Sequence, residues 1–202
     1  MPSFDPALLT GPQMYKLLAG SVLPRPIALV SSMAADGTPN LAPFSFFTIA
    51  SADPPVLVVQ NSVRGNRTRK DTIGNVEATG EFVVNIVSAD YAAAMNLTAG
   101  EYGPEVDEFV VSGLTPVASE CVTPARVAEA RVQMECRLIQ IVRVSDKPLG
   151  GSLMLGEVVR FHFRDDVIDA GLNVNLDVLQ PVGRLSGSSY VRVTDRFDMQ
   201  RP

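Results

Sequence analysis

The feature that most constrains the fold is a pair of long apolar, β-branched segments, one from Arg131 to Val144 and the other from Ser152 to Phe163. The short connection Asp146–Gly151 contains a proline and two adjacent glycines, which are typical of a turn. Strands joined so closely must pair antiparallel, because a parallel pair needs a crossover of a dozen or more residues. The sequence therefore predicts a long antiparallel β-hairpin.

Further segments have the composition of short strands. Ile27–Val30 runs into an Asp36-Gly37 turn and is followed by a return strand, Asn40–Ile49. Val56–Gln60 is apolar enough for a strand buried on both faces, and Phe82–Val87 is another strand. Five or six mostly antiparallel strands without regular β-α-β alternation favour a closed or split β-barrel over a doubly wound sheet.

The helical patterns are short. One follows Thr10, one covers Asp71–Thr79 with Asp71 as its candidate N-cap, and one covers Tyr91–Leu97. Residues 100–128 are expected to be rich in loops and partly helical. The first helix is expected to carry three apolar side chains on one face: Met14, Leu17 and Leu18.

Length and charge limit the classes of function. A chain of 202 residues that is 46% hydrophobic is expected to form a single domain over residues 1–202. The net charge of −5 argues against a nucleic-acid partner or an anionic membrane surface. No apolar run approaches the ~18 residues of a spanning helix, and the N-terminal residues have neither a positive n-region nor an apolar h-region, so we expect a cytoplasmic protein.

Motifs of several common enzyme sites are missing. The sequence has no G-x-G-x-x-G after a strand, no P-loop and no H-E-x-x-H motif. Cys121 and Cys136 have neither CxxC spacing nor a nearby histidine, so no metal site is expected and buried thiols are favoured over a bridge. His162, the single histidine, is either a strand residue bonded to a neighbour or a proton donor or substrate contact, and it is the one candidate catalytic side chain.

A cationic segment suggests a binding site for an anion. Arg64, Arg67, Arg69 and Lys70 lie within seven residues, directly before the helix that opens at Asp71 and Thr72. Such a cluster is either a solvated loop or a phosphate site. Its position favours the second interpretation, because helix N–H groups, hydroxyls, Lys70 and an arginine can converge on one phosphate.

The run from Asn40 to Phe47, NLAPFSFF, has two interpretations as well. Some of its rings must pack in the core. Pro43 removes one N–H from the strand ladder, however, and so suits an edge or a bulge where backbone groups are left to bond a heterocycle.

Nine short blocks, taken in order, resemble the flavin reductase-like family of FMN-binding split barrels. The similarity extends over residues 15–192. Each block is weakly specific alone, and the ordered set is strongly specific. The blocks are Arg25–Ser31, Asp36-Gly37, Asn40–Phe47, Asp53–Pro55, Lys70–Thr72 with Asn75, Glu81–Asn85, Val106–Phe109, Leu155–Val158 and Pro181–Leu185.

The resemblance implies a homodimeric, six-stranded Greek-key barrel that binds FMN, rather than FAD, at or near the subunit interface. It implies a ring and ribityl wall made of Asn40, Leu41, Ala42, Ser45, Phe46 and Phe47. Its phosphate ligands would be Ser62, Arg69, Lys70 and Thr72, with Arg25 near the pyrimidine end of the ring. Arg184 and Tyr190 would cover the flavin, either from the partner subunit or from the C-terminal segment.

The chemistry that the resemblance implies is hydride transfer from NAD(P)H to the flavin. Reduced flavin would then be released, or its electrons passed to an acceptor such as a monooxygenase. Because the cofactor carries the redox chemistry, no acid–base pair needs to stand out in the sequence. The alternative is an FMN electron carrier, similar to a flavoredoxin, that a protein donor reduces.

Overall fold

The computed structural model describes residues 1–63 and 70–200. Its strands, in chain order, are β1 (Arg25–Pro26), β2 (Ala28–Met33), β3 (Pro39–Phe44), β4 (Phe47–Ala52), β5 (Pro55–Ser62), β6 (Glu81–Ile86), β7 (Pro116–Val117), β8 (Arg126–Val127), β9 (Val132–Arg143), β10 (Gly151–Phe163), β11 (Val182–Arg184) and β12 (Tyr190–Arg192). Its α-helices are α1 (Gly11–Ser21), α2 (Asp71–Thr79), α3 (Ala92–Leu97), α4 (Glu108–Ser112) and α5 (Leu176–Leu179), and a short 3₁₀ helix covers Pro6–Leu8.

The predicted hairpin is the centre of the main sheet. Strands β9 and β10 pair antiparallel from Ser152 opposite Arg143 to Phe163 opposite Val132, with two register shifts. The sheet has the order β3-β2-β6-β9-β10-β5-β4, and every neighbouring pair in it is antiparallel. The long hairpin is therefore confirmed nearly to the residue.

One bent segment closes this sheet into a barrel. Strand β3 pairs with β2 at one edge and β4 pairs with β5 at the other, although only Ser45 and Phe46 separate β3 from β4. The prediction of one continuous strand over Asn40–Ile49 is wrong at this bend, because the chain crosses from one edge to the other there. Counting β3 and β4 as one bent strand gives a six-stranded barrel. The return of β6 beside β2 gives the Greek-key order, so the split-barrel fold is confirmed.

The barrel interior is a closely packed apolar cluster. Phe82, Val84 and Met154 are fully or almost fully buried in it, and Ile73 and Val76 of α2 pack against the same cluster. A second cluster lies outside the barrel, where α3 and α4 cover β2 and β3. Strand β2 is consequently buried on both faces. Burial on both faces was predicted for Val56–Gln60 instead. In this segment Val58 and Gln60 are half-exposed on the outer face.

The predicted helices form, but two details differ. At the start of α1, the Gln13 side chain accepts a hydrogen bond from the Thr10 N–H. The apolar face expected of this helix is not buried in the single chain, since Leu17 and Leu18 are 43% and 63% exposed. In α2 the N-cap is Lys70, and Asp71 is the first helical residue. Asp71 as a cap is therefore wrong. Its carboxylate instead lies in the first turn, where the helix dipole favours negative charge.

Cys121 and Cys136 are both free thiols. Cys136 lies fully buried in the barrel, and burial raises the pKa of its thiol above the ordinary range. Within residues 1–63 and 70–200, no helix is both long and apolar enough to span a membrane.

Candidate functional site

A cleft of about 270 Å³ opens where the β3–β4 bend meets α3 and the C-terminal segment. Six of the predicted cofactor-binding residues border it: Ser45, Phe46, Ser62, Lys70, Arg184 and Tyr190. They come from four separate parts of the chain, and the fold brings them to one cleft. The other lining residues are Tyr15, Ile27, Pro43, Phe44, Gln60, Met95, Asn96 and Ala99.

The C-terminal side of the cleft is held by contacts within the one chain. The Arg184 guanidinium lies 4.5 Å from the centroid of the Tyr190 ring, and Arg184 also donates to the Gly187 carbonyl. The Tyr190 hydroxyl donates to Asn96 Oδ1 of α3 over 3.0 Å. In the single chain, the C-terminal segment therefore brings Arg184 and Tyr190 to the cleft.

Lys70 lies between the cleft and a second, smaller depression. Its Nζ is 4.8 Å from the centroid of the Phe44 ring, and the residue borders both spaces. Ser62 lies at the end of β5, and its hydroxyl donates to Gln60 Oε1 over 3.3 Å. Arg69, the other predicted phosphate ligand with a positive charge, lies outside the described residues.

The second depression has a volume of about 160 Å³ and shares Pro43, Lys70 and Ala99 with the cleft. Asn40, Ala42 and Thr72 border it. Asn40 donates from Nδ2 to the Thr72 hydroxyl over 3.0 Å, so the Thr72 proton can point to another acceptor. The predicted wall and the predicted phosphate side thus meet in this depression.

Glu108 is a lining residue of the depression that sequence reasoning did not select. It is 7% exposed, and its Oε2 accepts a hydrogen bond from the Leu41 N–H over 2.9 Å. Burial raises the pKa of its carboxyl, and the nearby Asp71 and Asp107 raise it further, although the Leu41 N–H acts in the opposite direction. The residue stands in a loop-rich region with no periodic pattern. The Val106–Phe109 block of the family resemblance was the one signal for it.

Three predicted residues lie elsewhere. The Leu41 side chain is fully buried in the outer cluster, and its N–H is bonded to Glu108. Phe47 packs against the barrel interior and borders a separate groove between α1 and β4. Arg25 is buried and donates to the Val22 and Leu185 carbonyls over 3.0 and 2.8 Å, so its guanidinium ties α1 to the C-terminal segment behind Phe46.

His162 is distant from the cleft along β10. Gly151, at the start of that strand, is opposite Ser62, whereas His162 is near the other end, opposite Gln133. Its Nε2 lies 2.6 Å from Oε1 of the fully buried Glu135. The geometry is that of the first interpretation, a strand histidine bonded to a neighbour.

Comparison with known proteins identifies the family. The model of the flavin reductase like domain matches residues 19–179. The chain belongs to the flavin reductase-like family. An uncharacterised protein of Aquifex aeolicus is 44% identical over 90% of this chain and 91% of its own length.

Two solved structures in this comparison resemble the whole chain. Nitrilotriacetate monooxygenase component B from Bacillus cereus is 37% identical, covers 98% of both chains and superposes with a TM-score of 0.93. The 2-nitrobenzoate 2-nitroreductase NbaA of Pseudomonas fluorescens is 35% identical, covers 100% of this chain and 96% of its own, and superposes with a TM-score of 0.89.

The cleft of this flavin reductase-like chain suits a flat ligand that carries negative charge. Among its described lining residues, the ionisable side chains are two cations, Lys70 and Arg184, and two phenols, Tyr15 and Tyr190. Aromatic rings and a bent strand edge provide a surface for a heterocycle, and Lys70 provides a cation for a phosphate. Such a donor set fits a flavin mononucleotide, and the redox chemistry would come from that cofactor.

Proposed function

We propose that this protein is an FMN-binding oxidoreductase that transfers hydride from NAD(P)H to its flavin. The observation that carries the proposal is the cleft at the β3–β4 bend, where an aromatic and polar wall meets Lys70. When bound, the flavin would supply the hydride acceptor at N5. Ser45, Phe46, Ala42 and Asn40 would hold the ring and chain.

The protein groups contribute binding and orientation. Lys70, together with Ser62 and Thr72, would neutralise and orient the phosphate, and Arg69 stays a predicted ligand at the same end. Tyr190, fixed by Asn96 and Arg184, would limit the access of water at the C-terminal side of the cleft. The open part of the cleft leaves a face on which a nicotinamide can stack without a Rossmann domain.

The electrons of the reduced flavin would go to a separate acceptor, either after release of the flavin or within the cleft. The similarity to a protein named as component B of a monooxygenase supports a role in supplying reduced flavin to an oxygenase. The similarity to a nitroreductase supports a second class of acceptor, a nitroaromatic compound reduced in the cleft itself.

We also propose that the protein is a homodimer. The outer face of the β5–β10–β9 region carries Val58 beside Leu155 and Leu153 beside Val142, and all four are partly exposed in the single chain. Leu18 and Val22 of the α1 region are 63% and 62% exposed. A second copy covering such apolar surface would remove it from water.

The test is flavin binding followed by reduction. FMN should lose fluorescence when it is titrated with the purified protein, and NADH or NADPH should then bleach the visible flavin band without air. Lys70→Ala should weaken FMN binding, whereas Lys147→Ala, an exposed lysine in the turn before β10, should not.

Two results would contradict the proposal in different ways. Unchanged FMN fluorescence at all protein concentrations would remove the cofactor assignment. Bound FMN that neither nicotinamide nucleotide bleaches would favour the alternative, an electron carrier that a protein donor reduces.

A further inference from the structure

Glu108 is a buried carboxylate with one oxygen that no residue within 1–63 and 70–200 uses as a hydrogen-bond acceptor. The Asp107 side chain caps α4 by accepting from the Phe109 N–H over 2.8 Å, and this cap fixes the backbone at Glu108. Oε2 of Glu108 accepts from Leu41, and Oε1 accepts no hydrogen bond from the described residues. The residue borders the second depression, so an accessible ligand group can approach this carboxylate.

Oε1 faces the depression, so a donor from a ligand can reach it. Burial raises the pKa of the Glu108 carboxyl. Of the groups that a flavin nucleotide carries, the neutral ones suit this carboxylate better than the phosphate does. Asp71 and Glu101 also border the depression, and Lys70 is the one cation among its described lining residues, so a phosphate deep in it would be repelled.

The neighbouring groups suit a chain of hydroxyls. Asn40 and Glu108 present an amide and a carboxylate around a space that continues into the cleft past Pro43 and Lys70. Hydroxyl groups donate and accept and carry no charge, so they match this set better than an aromatic ring or an anion does.

We propose that Glu108 accepts a hydrogen bond from the polyol chain of the flavin and thereby selects flavins that carry this chain. The inference rests on the proposed function, because it places the ring in the cleft and the phosphate at Lys70. The chain then passes along the depression, which adjoins the cleft at Pro43, Lys70 and Ala99. Glu108 is a specificity-determining residue in this arrangement, and it has no part in hydride transfer.

The experiment compares two uncharged flavins, riboflavin and lumiflavin, which differ in that lumiflavin has a methyl group in place of the polyol chain. Dissociation constants are measured by fluorescence quenching for the wild type, Glu108→Gln and Glu101→Gln. Using uncharged ligands removes the attraction of Lys70 for a phosphate. Glutamine keeps an acceptor for the Leu41 N–H, and Glu101 is an exposed carboxylate on the same rim that serves as the matched control.

The wild type should bind riboflavin about tenfold more tightly than lumiflavin, since a hydrogen bond to a charged group is worth about a tenfold change or more. Glu108→Gln should reduce this ratio to about 1–3 with little change for lumiflavin. Glu101→Gln should leave the ratio as it is.

The ligand comparison in the wild type does not depend on any variant folding. Equal wild-type affinities for riboflavin and lumiflavin would overturn the inference while leaving the proposed function intact. An equal loss of affinity for riboflavin and lumiflavin in Glu108→Gln would also overturn it, because that result is expected of a residue that only positions β3. If the wild type binds neither these flavins nor FMN, the proposed function fails together with the inference.

Discussion

Glu135 offers a sharp test of the forces that hold the barrel together. Its carboxylate, on β9, is fully buried and accepts backbone hydrogen bonds from the loop that precedes β8. Oε1 accepts from the Glu120 N–H over 2.8 Å, and Oε2 accepts from the Cys121 and Val122 N–H groups over 2.6 and 3.1 Å. His162 Nε2 lies 2.6 Å from Oε1. One charge therefore binds the loop to the hairpin.

Glu135→Gln keeps the shape but turns one oxygen into an NH₂ donor. Whichever position this group takes, it faces at least one backbone N–H that loses its acceptor, and the remaining bonds lose their charge. A buried donor without a partner costs about 1–3 kcal/mol. Hydrogen bonds to a charged group are also stronger than those to a neutral group, by about 1 kcal/mol or more. We therefore expect Glu135→Gln to lower the free energy of unfolding by about 2–4 kcal/mol.

The effect should depend on pH with a defined sign. Burial alone would raise the pKa of Glu135, but the N–H groups of Glu120 and Cys121, with His162, hold it below the ordinary value of 4.5. A carboxyl with a lowered folded pKa stabilises the protein above its unfolded pKa. That stabilisation is lost as the pH falls through the folded pKa.

The assay is urea unfolding of the wild type, Glu135→Gln and Glu120→Gln at pH values from about 7 down to about 3.5, chosen to span the ordinary carboxyl range. The gap between the wild type and Glu135→Gln should narrow below about pH 4.5. Glu120, whose side chain is 57% exposed, should change stability by less than about 0.5 kcal/mol. A gap under about 0.5 kcal/mol at neutral pH, or one that stays the same at the lowest pH, would refute the reasoning.

Three further outcomes are expected. Gly156→Ala should destabilise the barrel by about 1–3 kcal/mol in urea unfolding, because the new Cβ would lie 2.2 Å from Cζ of the fully buried Phe82, whereas Gly20→Ala in α1 meets nothing within 4 Å and should not destabilise it. Lys70→Ala should weaken the binding of FMN more than the binding of riboflavin in fluorescence titrations. An equal loss of affinity for the two flavins would argue against a contact between Lys70 and the phosphate. Leu155→Lys should shift the molar mass measured by light scattering from a dimer towards a monomer, and an unchanged mass would place the interface elsewhere.

The sequence could predict the strands of the hairpin because their signal is local. β-branched residues over 131–144 and 152–163, with a proline and two glycines between them, leave one way to pair, and the observed strands begin and end within a residue of those limits. The split between β3 and β4 has no such signal. The pattern of residues 44–47 is that of one continuous strand. The bend arises from the closure of the barrel, which is a tertiary effect.

The site divides in the same way. The Lys70-Asp71-Thr72 entry to a helix and the run containing Ser45 and Phe46 could be found from residue type and order, and they do meet at the cleft and its neighbouring depression. Glu108 could not be found, because its importance comes from burial and from the contact with Leu41, 67 positions away in the chain.

The bend at Ser45 and Phe46 has a consequence for the fate of the protein without its cofactor. Those two residues join the edges formed by β3 and β4, so loosening the bend would turn a closed barrel into an open sheet with two unpaired edges. Unpaired edges are templates for aggregation. A ligand packed against this bend would stabilise the closed barrel. We therefore expect the protein without its cofactor to be more prone to self-association and proteolysis.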